Sequence, residues 1–240
     1  MSNRNFIIMK CLVGSKAYKL DNEFSDTDTK SVFLWPTSKI LKIGVEPKIK
    51  QTVKENEDNM SMEMEHFLRL SLSSNPTILE LYKSPILESD NIEMANELRN
   101  LFPYVLSSKG VYNAYFGYSR SQHKRMFNES NAFKERSKLA VAHLRVLIQG
   151  IELLRTGTFS VEVLDKYDVL IGLKEHHSWN VYLKDIKNGL VDIGQIINTS
   201  ELLKAELDKA YQENPNKEKD LEPVNNFLLK IRKEYWDDNA

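Results

Sequence analysis

At 240 residues, with a formal charge of −1 and one cysteine, the chain has room for one large domain or two small ones, and its near-neutral balance argues against a global electrostatic grip on nucleic acid. The lone Cys11 excludes an intramolecular disulfide. No run approaches the roughly 18 apolar residues of a membrane span, and the N-terminal MSNRNFIIMK is too short and too interrupted by Lys10 for a signal peptide, so a cytoplasmic protein without membrane contact is expected.

The first predicted element is a buried strand, FIIMKCLV at 6–13, followed by the polar stretch GSKAYKLDNEFSDTDTK at 14–30 and a second apolar run, SVFLW at 31–35. Further strands are expected at 48–54 and 58–63. Helical periodicity then takes over. Phe67, Leu68, Leu70 and Leu72 supply one apolar face, Asn75-Pro76 breaks it, a short helix restarts over Thr77 to Tyr82, and Pro85 marks a soft boundary.

Beyond that boundary the pattern predicts helices at about 90–101, 104–127, 131–156, 161–173, 181–189, 192–212 and 220–235, with ENPNKEKDLEP at 213–223 as an exposed connection. The clearest has Ala140, Leu144, Leu147, Ile151 and Leu154 at three-and-four spacing before Gly157 stops it. The expected fold class is therefore α+β: a small mixed β-sheet over 1–85, then a largely α-helical domain over 86–240.

The chemistry gathers in the polar stretch. Asp26 and Asp28 at the start of a strand share a face by its period of two, and paired carboxylates call for a cation, a proton or a basic partner. Magnesium suits such oxygen ligands, especially when substrate phosphates complete its shell. Gly14 permits a tight turn, and the Ser15 hydroxyl with its neighbouring amides suits phosphate oxygens. A calcium loop of the EF-hand kind fails by counting: from Asp26 the sixth and twelfth positions are Ser31 and Thr37, and from Asp21 they are Asp26 and Val32.

Cations are available further along. Lys138 and Arg145 lie seven residues apart, almost two helical turns, and so share a face that suits a triphosphate; Arg136 and His143 share another. Glu80, flanked by Leu79 and Leu81, reads as a buried acid that needs a partner and fixes a loop. Tyr115, Phe116, Tyr118 and Phe127 read as core. His176 and His177 lack the spaced cluster that zinc needs.

Together these segments resemble a known family. Gly-Ser, a spacer of about ten residues, Asp-x-Asp and a hydrophobic strand form a pattern similar to that of the polymerase-beta-like nucleotidyltransferases. More narrowly, GSKAYKL, SDTDTKSVF, FLRLSLSSNPTILELYKSP at 67–85 and SKLAVAHLRVLIQGIELLRTG at 137–157 resemble the RlaP-type predicted nucleotidyltransferases, in the family's order and over about residues 6–175. That family often has Tyr-Gly after the Gly-Ser turn and an arginine after the second aspartate; here the positions are Tyr18-Lys19 and Thr29-Lys30.

The resemblance implies transfer of a nucleoside monophosphate from an NTP such as ATP to an acceptor hydroxyl, with magnesium or manganese as the metal and nucleotide bound between sheet and helices. Asp26 and Asp28 would hold the metals together with a third carboxylate, which the family landmarks put at Asp58, with Glu63 as runner-up and possible helix cap. Gly14, Ser15, Lys30, Lys138 and Arg145 would contact the nucleotide. The acceptor is left open between a small molecule, a protein side chain and an RNA end. The competing expectation is a noncatalytic nucleotide sensor or interaction protein with the same pocket.

Overall fold

The structure, a computed structural model, describes residues 6–44, 50–54, 57–128, 132–163, 178–214 and 216–236. Strands β1 (Phe6–Val13), β2 (Asp28–Leu34), β3 (Lys50–Lys54), β4 (Glu57–Glu63) and β5 (Ile86–Glu88) form one sheet in the order β3-β4-β2-β1-β5. β2 and β4 run parallel while the other pairs are antiparallel, so the sheet is mixed and the fold is α+β, as expected. β1 owes its interior place, between β2 and β5, to Ile8, Met9, Cys11 and Val13, all buried, in a run short enough for one strand.

Short helices decorate the sheet: α1 (Gly14–Ala17), α2 (Thr37–Ile40), α3 (Met64–Leu72), α4 (Pro76–Leu79) and α5 (Ile92–Asn100). Asn75 caps α4 by accepting from the Thr77 amide at 3.1 Å, with Pro76 in the first turn where its missing N–H costs nothing. The helical domain consists of α6 (Ser108–Met126), α7 (Phe133–Thr156), α8 (Trp179–Asn188), α9 (Ile193–Glu213) and α10 (Leu221–Glu234). Ala140, Leu144, Leu147, Ile151 and Leu154 of α7 are all buried, each large one contributing about 1.5–3 kcal/mol by leaving water. Gly157 ends α7 at φ 73°, its amide bonded to the Leu153 carbonyl.

Two findings refine the expected organisation. The sheet extends past residue 85, because β5 pairs with β1 on its outer edge; three residues are too short a run to announce a strand by periodicity. α10, last in the chain, returns to the sheet: Arg232 forms an ion pair with Glu63 at 2.6 Å and donates to the Trp35 carbonyl, while the Thr37 hydroxyl donates to the Tyr235 carbonyl at 3.0 Å. The helix expected at 161–173 lies mostly outside the described residues, as do His176 and His177. Among the described residues, no helix is long and apolar enough to cross a membrane.

Of the face expected to join Arg136 and His143, Arg136 is exposed but His143 is interior. His143 is fully buried between α6, α7 and α9; its Nδ1 lies 2.9 Å from the Ser119 carbonyl and its Nε2 2.6 Å from the Ser200 hydroxyl. The Ser119 hydroxyl lies 2.7 Å from the same Nδ1; with the proton on Nδ1 both Ser119 oxygens accept it, and Nε2 accepts from Ser200. Burial, partly opposed by the Ser119 backbone bond, lowers its pKa to about 4.

Candidate active site

Val13, the last residue of β1, pairs with Asp28, the first of β2, so whatever follows β1 is brought beside that carboxylate. Gly14 follows at φ 71°, a left-handed conformation, and a Cβ there would collide with the Asp28 carboxylate oxygen. Only glycine meets both demands. The turn carries Ser15 into the cleft, and the Lys16 ammonium donates to the Thr27 hydroxyl, fastening α1 to the loop between the two aspartates.

Asp26 and Asp28 line the same cleft, as does Ser15. Strand geometry begins at Asp28, and Asp26 belongs to the approach, where it is exposed. The cleft measures about 430 Å³. Its sheet side is Ser15, Asp26 and Asp28; its helical side is Lys134, Lys138, Val141, Ala142 and Arg145 of α7 with Lys187 of α8. This volume lies in the range of small-molecule sites. Lys138 is exposed at the mouth. Lys187 donates to the Leu20 carbonyl at 2.8 Å, and its pKa is lowered, first by burial and then by repulsion from Lys138, Lys134 and Lys184 against the opposing pull of Asp21.

Arg145 differs from its expected partner Lys138. It reaches the cleft but is 3% exposed, and its guanidinium is held by Glu80, by the Gln149 side chain at 2.9 Å and by the Tyr18 ring, whose centroid lies 3.7 Å away. The Tyr18 hydroxyl donates to the other Glu80 oxygen at 2.8 Å. Burial disfavours the Arg145 charge most, but the Glu80 carboxylate together with Tyr18 and Tyr118 outweighs it and holds the guanidinium above its ordinary range. Burial likewise pushes the Tyr18 phenol well up, so it remains a donor. Glu80 is thus the buried, partnered acid that its apolar flanks suggest.

The strand register separates the two candidates for a third carboxylate. Thr29 pairs with Asn59 and Phe33 with Glu63, so position 58 precedes Asn59 in β4 as Asp28 precedes Thr29 in β2. Alternation gives positions 28 and 58 one parity and Glu63 the other. Glu63 is 0% exposed and spent elsewhere, on Arg232 and on capping α3 through the Glu65 amide at 2.8 Å. The Asp58 side chain itself lies outside the described residues.

Lys30 is not brought to the cleft; its ammonium reaches toward the Thr77 carbonyl at 3.5 Å, on the side of α4. The structure adds residues that pattern reading did not select. Lys134 and Lys187 come from separate helices, and Phe24 and Asn22 from the loop; only a three-dimensional arrangement joins them. Lys19, where the resembling family often has glycine, sits at φ 59°, the left-handed region.

The family model described as the RNA repair pathway DNA polymerase beta family, RlaP, matches residues 2–230. The chain belongs to this family. It is accordingly a nucleotidyltransferase of the polymerase-beta kind. Among solved structures, a nucleotidyltransferase-like protein from Exiguobacterium sibiricum 255-15 is similar at 10% identity and a TM-score of 0.29, over 95% of this chain and 74% of that one. No curated protein matches the chain.

Proposed function

We propose that this RlaP-family protein transfers a nucleoside monophosphate from an NTP to an acceptor hydroxyl and releases pyrophosphate. The observation that carries this reading is the single cleft in which Ser15, Asp26 and Asp28 from the sheet meet Lys134, Lys138 and Lys187 from the helices. Acids on one side and cations on the other match a substrate whose reacting phosphate needs metal and whose leaving group is a polyanion.

The donor set fits a hard divalent ion: two carboxylates converge on the cleft, and Gly14 keeps the space beside Asp28 that any side chain would fill. Asp26, Asp28 and Asp58 would hold the ions, which when bound supply Lewis acidity at the phosphate and a more acidic acceptor hydroxyl. The chain's own residues do the rest. The Gly14-Ser15 turn receives phosphate oxygens, with Ser15 donating its hydroxyl. Lys134, Lys138 and Lys187 neutralise charge that grows on the leaving pyrophosphate as the acceptor oxygen bonds to the α-phosphorus and the bond to the β-phosphate oxygen breaks. Arg145 and Glu80 hold Tyr18, whose amide bonds the Gly14 carbonyl and so braces the turn that presents Ser15. Family membership supports a hydroxyl at an RNA end as acceptor.

The test is pyrophosphate release by the full chain with each NTP, magnesium and an RNA oligonucleotide bearing a free 3′ hydroxyl. Asp26→Asn and Asp28→Asn should each lose about 10³-fold or more while unfolding at wild-type denaturant concentrations. Wild-type turnover in either variant would remove those residues from catalysis. NTP bound by the wild type with no pyrophosphate released in any mixture would make the protein a sensor.

A further inference from the structure

Phe24 presents an aromatic face at the lip of the cleft. It is 83% exposed, and among the described residues it is the one exposed large apolar side chain that lines this cleft; others, such as Leu41 and Leu229, lie away from it. Scattered exposed apolar residues need no explanation. One fixed beside reacting groups does.

The loop fixes its backbone. Asn22 accepts from the Phe24 amide at 3.1 Å and from the Ser25 hydroxyl at 3.0 Å, and its own amide donates back to the Ser25 oxygen at 2.9 Å. Such an Asx arrangement fixes the backbone locally. The Phe24 backbone is therefore set two residues ahead of Asp26, and the ring stands out from it at the lip. The inner cleft offers a different apolar surface, with Leu20 buried and Val141 and Ala142 half-buried, which suits the sugar and base of an incoming nucleotide. The lip suits a group that arrives from solvent and is too large to enter.

We propose that Phe24 is the stacking platform for the terminal nucleobase of a nucleic-acid acceptor, seated so that the terminal hydroxyl comes to the aspartates. This assignment of an acceptor site rests on the nucleotidyl-transfer reading above. A π-face takes any base, so the site selects strand ends without selecting sequence. It also agrees with a chain of charge −1: gripping one terminal base requires no long basic track, and the cleft lysines remain for the triphosphate.

The experiment uses the full chain and a ten-nucleotide RNA whose 3′-terminal base is 2-aminopurine, whose fluorescence is quenched on stacking, with a matched RNA ending in an abasic ribose. ATP binding in magnesium is titrated in parallel. Quenching by the wild type is expected. Phe24→Ala should abolish the quench and weaken RNA binding by about 5- to 150-fold, with ATP affinity and the unfolding midpoint unchanged; Phe24→Trp should retain binding. The abasic RNA should bind the wild type as weakly as the intact RNA binds Phe24→Ala. Weakened ATP binding with intact RNA binding would assign Phe24 to the incoming base, and no change in either would leave it an ordinary exposed side chain. A wild type that releases pyrophosphate while labelling a protein and ignoring RNA would overturn the acceptor assignment but keep the transfer reading. Phe24-dependent quenching without pyrophosphate release under any condition would keep the stacking site and sink the transfer reading.

Discussion

On the floor of the cleft, formal charge meets counter-charge in contact: the Arg145 guanidinium lies against Glu80, and Tyr18 donates to the same carboxylate. At the mouth, Lys134, Lys138 and Lys187 crowd a wall together, and Lys187 is held below its ordinary pKa by burial and by these neighbours. The difference follows from solvation. A charge taken fully out of water survives only when paired, so the floor's polar groups are committed to one another. Charges left in water tolerate like-charged neighbours at small cost, and that tolerance keeps them available to a polyanionic ligand.

Breaking the floor should produce the largest effect on stability. Arg145→Met removes the cation beneath Tyr18 and leaves the buried Glu80 carboxylate with the tyrosine hydroxyl alone, a loss of about 3–5 kcal/mol. Replacing both partners, Arg145→Met with Glu80→Gln, removes the stranded charge and should restore part of it. Urea unfolding of the two variants decides the matter: a double variant less stable than the single one would show that the pair does not act as a charge match.

His143 shows the other way a buried ionisable group can be accommodated, by staying neutral. Its folded pKa of about 4 lies below the ordinary value of 6.5, so the unfolded chain takes up a proton that the folded chain refuses. Above about pH 6.5 both states are neutral and the penalty is zero. As pH falls toward 4, stability drops by about 1.4 kcal/mol per unit, about 3 kcal/mol in all. His143→Gln lacks this dependence, so the gap between its unfolding midpoint and that of the wild type should narrow from pH 7.5 to 4.5. A constant gap would mean the imidazole is not desolvated.

The floor and the mouth were unequally legible in sequence. The apolar runs and cap residues announced β1, β2 and most helices, since periodicity and capping are local. Gly14, Ser15, Asp26 and Asp28 stand within one loop and its flanks, and the cleft unites Ser15, Asp26 and Asp28. The spacing of Lys138 and Arg145 put both at the cleft, but helix periodicity says nothing about what lies opposite; Glu80, 65 residues away, turns Arg145 into part of the floor. Lys30 carries the right charge next to the right motif and by strand alternation shares a face with Asp28, yet its long side chain reaches toward the Thr77 carbonyl, a partner 47 residues away that local pattern does not reveal. Phe24 reads locally as an apolar residue in a polar turn.

The division between floor and mouth can be sharpened with ligands. Lys138→Met should weaken an NTP by about 10- to 150-fold, the value of one charge-assisted contact, and leave the corresponding monophosphate nearly unchanged. Arg145→Met should weaken both alike, because it removes the support of Tyr18, whose amide braces the Gly14-Ser15 turn. Calorimetric titration of the two ligands against the two variants separates these patterns. Selective loss of NTP in Arg145→Met would place that residue at the outer phosphates and dissolve the distinction.

The smallest effect is expected outside the cleft, at Lys19, next in the chain to Tyr18 of the floor. Its φ of 59° is a conformation that crowds the side chain against the backbone, costing a non-glycine residue roughly 1–2 kcal/mol. Its ammonium lies 3.8 Å from Glu162, but both side chains are well exposed and such a pair contributes little. Lys19→Gly removes the strain, while the freer unfolded chain takes back about 0.4–1 kcal/mol. A net gain of about 0.5 kcal/mol is expected, with NTP affinity unaltered because Lys19 does not line the cleft. Denaturant midpoints of the two proteins check the sign. A loss of stability would mean that Glu162 holds Lys19 in place more strongly than exposure allows, and that solvation alone does not sort the charges of this site.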